Sequence, residues 1–427
     1  MRFKGHYHED MLTVEEAREK ILLEFRELEL SYVSIVESFG MTLADDIVST
    51  VNIPPLDNSA MDGYALVSGN TKNNNFVEMD VIGSISAGEI PNKQITPGKT
   101  IRIMTGAPIP YGADSVVPFE DTDEIERKNS GKLSNKITIK IKVKPGENIR
   151  LKGEDIISGS KALYKGTTVR SSEIGVAASL GLTHLPVIRR PVVSIISTGN
   201  ELQSPGTKLS KGKIYNSNAF SIASLVNSYG GIPKIIGIAG DNINELEKVL
   251  YSAMEDADLV VTSAGVSKGD YDVVKDVLAN IGKMSLWSVK MRPAKPLAFG
   301  VLKSKSKKVP HLGLPGNPVS AMVAFIQFGR PVIQKMMGKE LFPIPRINAI
   351  LDDTITNFDG RRVYSRVKVY KTQKGIYRAK STGSQSSGVL TSMSLANGFA
   401  ICPEFTDKIK KGQTVQVEMF DWAENTF

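Results

Sequence analysis

Three acidic residues, Glu201, Asp241 and Asp272, each follow a short apolar run, at 192–196, 235–238 and 259–261. Apolar runs of that length suit buried strands, which puts the three carboxylates at strand ends. Carboxylates gathered there are oxygen donors for a hard divalent cation, which bridges them to substrate phosphates. The third end, residues 258–272, is the richest. Thr262, Ser263, Ala264 and Gly265 follow the strand, and Ser267, Gly269, Asp270 and Asp272 come next. Gly265 and Gly269 permit close backbone approach, and amides in such a turn ahead of a helix can cradle an anion. A plain strand-to-helix loop with solvated acids has the same composition. Three acids at three such ends favour a metal- and phosphate-binding edge.

Other groups could serve the same anion. Lys290, Arg292 and Lys295 stand amid Pro293 and Pro296 in a loop expected between Val289 and Phe299. It could clamp a phosphate or oxyanion, or be solvated. Asp57, Asn58, Ser59, Asp62 and Gly63 form a dense polar loop after Pro54 and Pro55. That density marks a site or a turn held by Asx hydrogen bonds. Thr105 opens a Thr-Gly-Ala-Pro loop at another strand end. Residues 381–388, Ser387 among them, offer hydroxyls to an anion or form a flexible loop. Arg150, Lys152, Glu154 and Asp155 are an ionic cluster, either a surface network or a substrate contact. A full dinucleotide fingerprint and a Walker A sequence are both missing, which argues against a standard NAD or P-loop site.

The elements that must position these groups follow from periodicity. Residues 191–337 alternate strands with helices, the pattern of a mainly parallel, three-layer α/β domain. Its carboxyl edge is the expected site. Within it, the Leu-Pro-Gly-Asn-Pro turn of Pro315 and Pro318 precedes a long apolar helix from about Val319. Short strands and Gly/Pro turns over 76–143 read as a small β-barrel or sandwich, and 345–424 as a second β domain. A helix is expected within 11–31, with Thr13 and Glu16 as a capping box. Residues 127–136 read as a polar excursion, mobile and not catalytic.

Composition bounds the rest. The 427 residues suit two to four domains. With 53 basic and 45 acidic residues the net charge is +8, which suits small anionic substrates or a solvated basic surface. No long basic block with interleaved aromatics supports nucleic-acid binding. No apolar run reaches membrane-spanning length, and no secretory leader is evident, so a cytoplasmic protein without a membrane partner is expected. Cys402, the lone cysteine, lies in an apolar run and reads as core; four histidines are too few for a His-rich metal cluster.

In combination these motifs resemble the MoeA family of molybdopterin molybdenumtransferases, which includes the C-terminal domain of gephyrin. The matching stretches are 55–65, 102–110, 197–202, 262–275, 291–299 and 313–321, and the resemblance spans almost the whole chain. It implies a multidomain α/β plus β fold. An elongated, discontinuous N-terminal domain would occupy 1–50 and 144–185, with a small β-barrel-like domain at 51–143. A central three-layer α/β molybdopterin-binding domain would occupy 186–340, and a C-terminal β domain 341–427. The implied activity is molybdenum insertion in molybdenum cofactor synthesis. Adenylylated molybdopterin and molybdate, or tungstate in some relatives, are the substrates; the pyrophosphate link is cleaved, AMP leaves, and magnesium assists. A homodimer with the site across the subunit interface is implied, and the molybdopterin adenylyltransferase is a candidate partner.

Carried over by motif, Asp62, Thr105, Glu201, Asp241 and Asp272 would be catalytic, the last three facing the metal. Ser263, Gly265, Ser267, Lys290, Arg292, Lys295, Pro315, Pro318, Arg366 and Ser387 would bind the ligand. The chain departs from the pattern at Ser288, where some members have lysine, at Lys290, where a small residue is common, and at Asn200, where some have aspartate. The rival readings are a molybdopterin adenylyltransferase, which the α/β domain alone would allow, and a non-enzymatic dimeric scaffold.

Overall fold

The computed structural model describes residues 11–72, 76–131, 135–240, 242–264, 277, 280–304 and 307–421. They divide into two units, Tyr32–Phe39 with Leu43–Pro186, and Met1–Ser31 with Gly40–Thr42 and Val187–Phe427. Among the described residues no helix is long and apolar enough to cross a membrane.

In the larger unit the apolar runs become a six-stranded sheet. Its order is Ile232–Ala239, Val192–Thr198, Leu259–Ser263, Lys308–Leu314, Pro296–Lys303 and Gly282–Ser288. The first four strands are parallel, because parallel neighbours need a crossover and the chain supplies helices such as Asn218–Ser228 and Ile243–Met254. The last two run antiparallel, since the link from Lys303 to Lys308 is too short for a helix. Side chains alternate between two cores, as the strand period requires. Ile195 and Val261 pack with Ala219, Ile222 and Val226 on one face, whereas Ile196 and Val260 pack with Leu246, Leu250 and Ala253 on the other. Three layers and a mainly parallel sheet result, as expected, with antiparallel pairing confined to Pro296–Lys303 and its two neighbours. The basic loop is shorter than expected, because Pro296 opens a strand, a position that tolerates a missing N–H.

The long apolar helix has an internal break. It runs Pro318–Ala324, passes through a π turn at Phe325–Gly329 and resumes as Arg330–Met336. Pro331 has no N–H to offer the Gln327 carbonyl four residues back, and Arg18 Nε donates to that carbonyl instead, at 3.1 Å. Arg18 belongs to the first helix, Val14–Leu22, which Thr13 and Glu16 cap as a reciprocal box. That helix is shorter than expected; past Leu22 the chain turns to bury Phe25 against Phe299.

The C-terminal β domain is a closed barrel. Arg362–Lys371, Tyr377–Ser381, Arg346–Leu351, Thr414–Met419 and Gly398–Cys402 pair in that order, and the last pairs back with the first. Closure leaves no open edge inside the ring. Val367, Val369, Ala379, Val417 and the fully buried Cys402 fill the interior. Met291–Arg292 adds a short parallel strand alongside Arg362 and Val363.

In the smaller unit a barrel-like sheet runs Ser115–Pro118, Gly63–Leu66, Lys99–Ile103, Val77–Ile85 and Lys136–Ile139. Gly63–Leu66 is buried throughout: Tyr64 and Leu66 join Met79, Val117 and Ile139, while Ala65 joins Ile101, Ile103 and Val116. Part of the stretch expected to be a free excursion is ordered. Arg127 and Lys128 lie in the helix Glu124–Asn129, which the buried Glu124 and the Arg127–Asp123 pair at 2.6 Å tie down. A Cβ on Gly63 would stand 1.9 Å from the Val117 carbonyl oxygen. Gly63→Ala is therefore expected to destabilise the unit by about 2 kcal/mol or more, read as a lower denaturant midpoint; an unchanged midpoint would refute this packing.

Candidate active site

In the smaller unit Gly63 pairs with Ile103, so the residues just beyond that pair converge. Thr105 donates from its backbone N and from Oγ1 to Asp62 Oδ1, at 2.6 and 2.7 Å. The two bonds, the backbone one first, hold the Asp62 carboxyl below the usual carboxylate range, against a weaker opposing effect of burial. Asp62 and Thr105 are both exposed, so the structure presents an ionised, oriented carboxylate. Side-chain bonds hold the polar loop. Asp57 accepts from the Lys152 amide at 2.7 Å and Ser59 Oγ donates to Met61 O at 2.5 Å, which hold the turn that displays Asp62. Glu154 likewise accepts from the Leu151 amide, at 2.9 Å.

In the larger unit the carboxyl edge of the sheet gathers a second set. Glu201 follows the strand Val192–Thr198 and is exposed. A Cβ on Gly199, at φ +139°, would come within 2.4 Å of the Glu201 carboxylate, so the glycine leaves room for that carboxylate to fold back over the strand end. Ser263 is buried, and its hydroxyl donates to Ser197 Oγ at 3.2 Å, which in turn donates to Asn216 Oδ1 at 2.9 Å. Ala264 takes φ +81° and its N–H donates to Leu314 O. A Cβ on Gly316 would meet Ala264 at 3.3 Å, so the two turns nest closely. Pro315 is buried, Pro318 opens its helix, and Asn218 Nδ2 donates to Gly316 O at 2.8 Å. The Asn218 Oδ1 is buried without a partner among the described residues. Asp241, Gly265, Ser267, Gly269, Asp270 and Asp272 lie outside the described residues, as does most of the helix expected after them, of which Val277 is described as helical and buried. Among the described residues no group of three His, Cys, Asp or Glu side chains could hold a metal ion. Of the three acids expected to face the metal, Glu201 is the one among the described residues, and its carboxylate is the hard oxygen donor that magnesium takes.

Beneath the edge, Thr262 Oγ1 and His311 Nε2 share a 3.0 Å hydrogen bond, and His311 Nδ1 is buried without a partner among the described residues. Burial pushes the imidazole down to about 3 from an ordinary 6.5. Because the folded value is depressed, this contribution to stability is fully present above about pH 6.5 and is lost as pH falls toward about 3. In that window the unfolded chain binds one more proton, worth about 1.4 kcal/mol per pH unit. Denaturant unfolding of His311→Gln is expected to lose that slope; equal slopes in variant and wild type would contradict it.

The third set lies where the basic loop meets the C-terminal barrel. Arg292, Arg366, Tyr364, Thr356, Phe358 and Gln385 help line a cavity of about 380 Å³. Arg366 is only 1% exposed and has no carboxylate partner among the described residues. Nε donates to Ser392 Oγ at 3.1 Å, and Nη2 to the carbonyls of Ser384 and Ser386 at 3.2 and 3.0 Å. An arginine carries five N–H donors, and among the described residues no hydrogen bond engages the two on Nη1. Burial pushes this guanidinium down to about 10. Arg292 donates to Thr356 O at 2.7 Å and lies 5.8 Å from the Phe358 ring centroid, with Asp359 at 3.7 Å. Lys290 and Lys295 are half-buried; backbone bonds from the Lys290 N to Leu12 O and from the Val289 N to Lys295 O fix the loop. Ser387 O accepts from the Val319 amide at 3.1 Å, which brings the Ser-rich loop to the turn of Pro315 and Pro318.

Sequence reasoning missed the ion pair of Arg102 with the buried Glu124, and also Asn218. The signal for Arg102 was a cation set between Ile101 and Ile103. Nothing in the sequence marked Glu124 as buried.

The fold defines a multidomain enzyme: a three-layer α/β domain joined to a barrel-like insert and a closed C-terminal β-barrel. Residues 12–181 match the MoeA N-terminal region (domain I and II), 194–335 a probable molybdopterin binding domain, and 348–420 the MoeA C-terminal region (domain IV). The molybdopterin molybdenumtransferase of Haemophilus influenzae is 34% identical over 414 residues, which cover 96% of this chain and 99% of that protein. Molybdopterin molybdenumtransferase 2 of Mycobacterium tuberculosis is 36% identical over 394 residues, covering 90% and 94%. The crystal structure of a molybdopterin biosynthesis MoeA protein from Pyrococcus horikoshii OT3 superposes with a TM-score of 0.77 at 28% identity, over 96% of this chain and 100% of that one. The chain belongs to the MoeA family: it is a molybdopterin molybdenumtransferase, a molybdenum insertase of molybdenum cofactor biosynthesis.

Proposed function

We propose that this enzyme takes adenylylated molybdopterin and molybdate, cleaves the pyrophosphate link with release of AMP, and leaves molybdenum on the dithiolene sulfurs. The observation that carries the reading is Arg366, a buried cation with two unspent donors on a cavity and no carboxylate partner among the described residues. Such a group favours an anion of fixed geometry, here molybdate, with tungstate as the alternative oxyanion. Arg292 lines the same cavity; Lys290, Lys295 and Ser387 support it. Ser263, with Gly265 and Ser267 by the sequence pattern, and the turn held by Pro315 and Pro318, whose N–H donors are those of Gly316 and Asn317, bind the nucleotide and pterin.

Glu201, with Asp241 and Asp272 by the sequence pattern, supplies oxygen donors for magnesium. When bound, magnesium supplies charge stabilisation at the pyrophosphate oxygens. Asp62, ionised and held by Thr105, orients the attacking oxygen or the reacting group. The working unit is a cytoplasmic homodimer in which Asp62 serves the partner's α/β domain, since the catalytic residues fall in motifs of different domains and two-fold pairing is the commonest closed assembly. Sedimentation at micromolar concentration should show a dimer; a monomer alone would contradict the shared site. The domain division at 1–50 with 144–185, 51–143, 186–340 and 341–427 belongs to the same reading, and the adenylyltransferase would deliver the substrate.

The deciding experiment offers the protein two substrate sets. Adenylylated molybdopterin with magnesium and molybdate should yield AMP, and molybdopterin with ATP should yield no pyrophosphate. Pyrophosphate release from ATP would establish the adenylyltransferase reading instead.

A further inference from the structure

Arg102 lies directly opposite Tyr64 in the strand register of the smaller unit, and its side chain is 16% exposed. The guanidinium is held on several sides. Nε meets Glu124 Oε2 at 2.9 Å, an ionic contact rather than an aligned hydrogen bond. The rings of Tyr64 and Phe119 lie 5.4 and 5.5 Å from its central carbon. Nη1 donates to Gly63 O at 3.1 Å and to Ile103 O at 3.0 Å. Those carbonyls belong to the paired residues next to Asp62 on one strand and two before Thr105 on the other. Glu124 is buried, and Lys128 Nζ meets its other oxygen at 2.5 Å. Burial pulls the Glu124 carboxyl up, while Lys128 and Arg102 pull it further down, so the pair stays charged.

A buried ion pair is seldom worth more to stability than apolar side chains of the same volume. An apolar chain at this position could not bridge the carbonyls of two strands. We propose that Arg102, braced by Glu124, is a positioning residue for the known reaction: it fixes the two strand ends so that Asp62 and Thr105 meet in the reacting geometry. The inference rests on the reading of Asp62 as a group that reaches the substrate. Misplacement of a reacting group by about 1 Å can cost on the order of 100-fold in rate, so the bridge bears on turnover rather than on affinity.

The test measures kcat and KM for adenylylated molybdopterin, together with melting temperature, in Arg102→Lys, Glu124→Gln, Thr105→Val, Asp62→Asn and the Arg102→Lys/Thr105→Val double variant. A lysine keeps the charge opposite Glu124, but its single ammonium nitrogen cannot meet Glu124, as Nε does, and also both carbonyls, as Nη1 does, and it has no plane to lie between the two rings. Arg102→Lys is expected to lower kcat about tenfold, with KM within about twofold and the melting temperature unchanged. The double variant should be no slower than the slower single one, because both changes act through Asp62. If Arg102→Lys does not fold, Glu124→Gln, which leaves the guanidinium in place, should show the same loss confined to kcat, about threefold. Full turnover in Arg102→Lys or, where that does not fold, in Glu124→Gln, or losses that multiply in the double variant, with Asp62→Asn inactive, would overturn the proposal and leave the reading of Asp62 standing. Full turnover in Asp62→Asn would remove that reading and this proposal with it.

Discussion

Asp62→Asn is expected to lower turnover by about 100-fold or more, the range of a positioned acid or base, while affinity for the pterin changes little. The substitution is unusually clean here. An asparagine Oδ1 still accepts both bonds from Thr105, at present 2.6 and 2.7 Å, so the geometry survives and the charge is lost. A fall in kcat with KM unchanged is the mark of an interaction made in the transition state. Because the Thr105 bonds hold the carboxyl below its usual range, the acidic limb of the rate profile, where Asp62 controls it, should lie below that of an ordinary aspartate. Normal AMP release by Asp62→Asn would remove Asp62 from the chemistry.

Arg366→Met is expected to weaken molybdate binding by about 100-fold, the worth of roughly two charge-assisted hydrogen bonds. The folded protein now carries a desolvated cation whose pKa burial has pushed down to about 10, and a bound anion relieves that cost. Molybdate should therefore raise the melting temperature of the wild type by mass action and leave that of Arg366→Met unmoved. Equal molybdate shifts in both proteins would place the oxyanion elsewhere. Arg292 is a weaker test, because Thr356, Phe358 and Asp359 already engage it.

Much of the layout was legible in the sequence where one periodic signal governed it. The apolar runs around Val193, Ile235 and Val260 are strands with helices on both faces of the sheet, and Thr13 and Glu16 cap the first helix. The misreadings share a cause. Pro296 opens a strand, and the helix at Glu124 is anchored to Arg102 on a strand more than 20 residues upstream; in both cases tertiary pairing overrides local composition. Asp62 with Thr105 could be paired only through the register of Gly63 with Ile103, which no single stretch records. Arg366 was marked through the motif match alone, since local composition makes it one more basic residue in a strand; the closed barrel and the cavity supply its wall.

The central claim is that cleavage of the adenylylated pterin is coupled to the oxyanion. Purified protein with adenylylated molybdopterin and magnesium should be titrated with molybdate while AMP and active cofactor are followed together. The account predicts that both products rise with the same molybdate dependence, in equal amounts, and that Arg366→Met shifts both curves alike to higher molybdate. AMP release at full rate without any oxyanion, or cofactor formed without AMP, would contradict it.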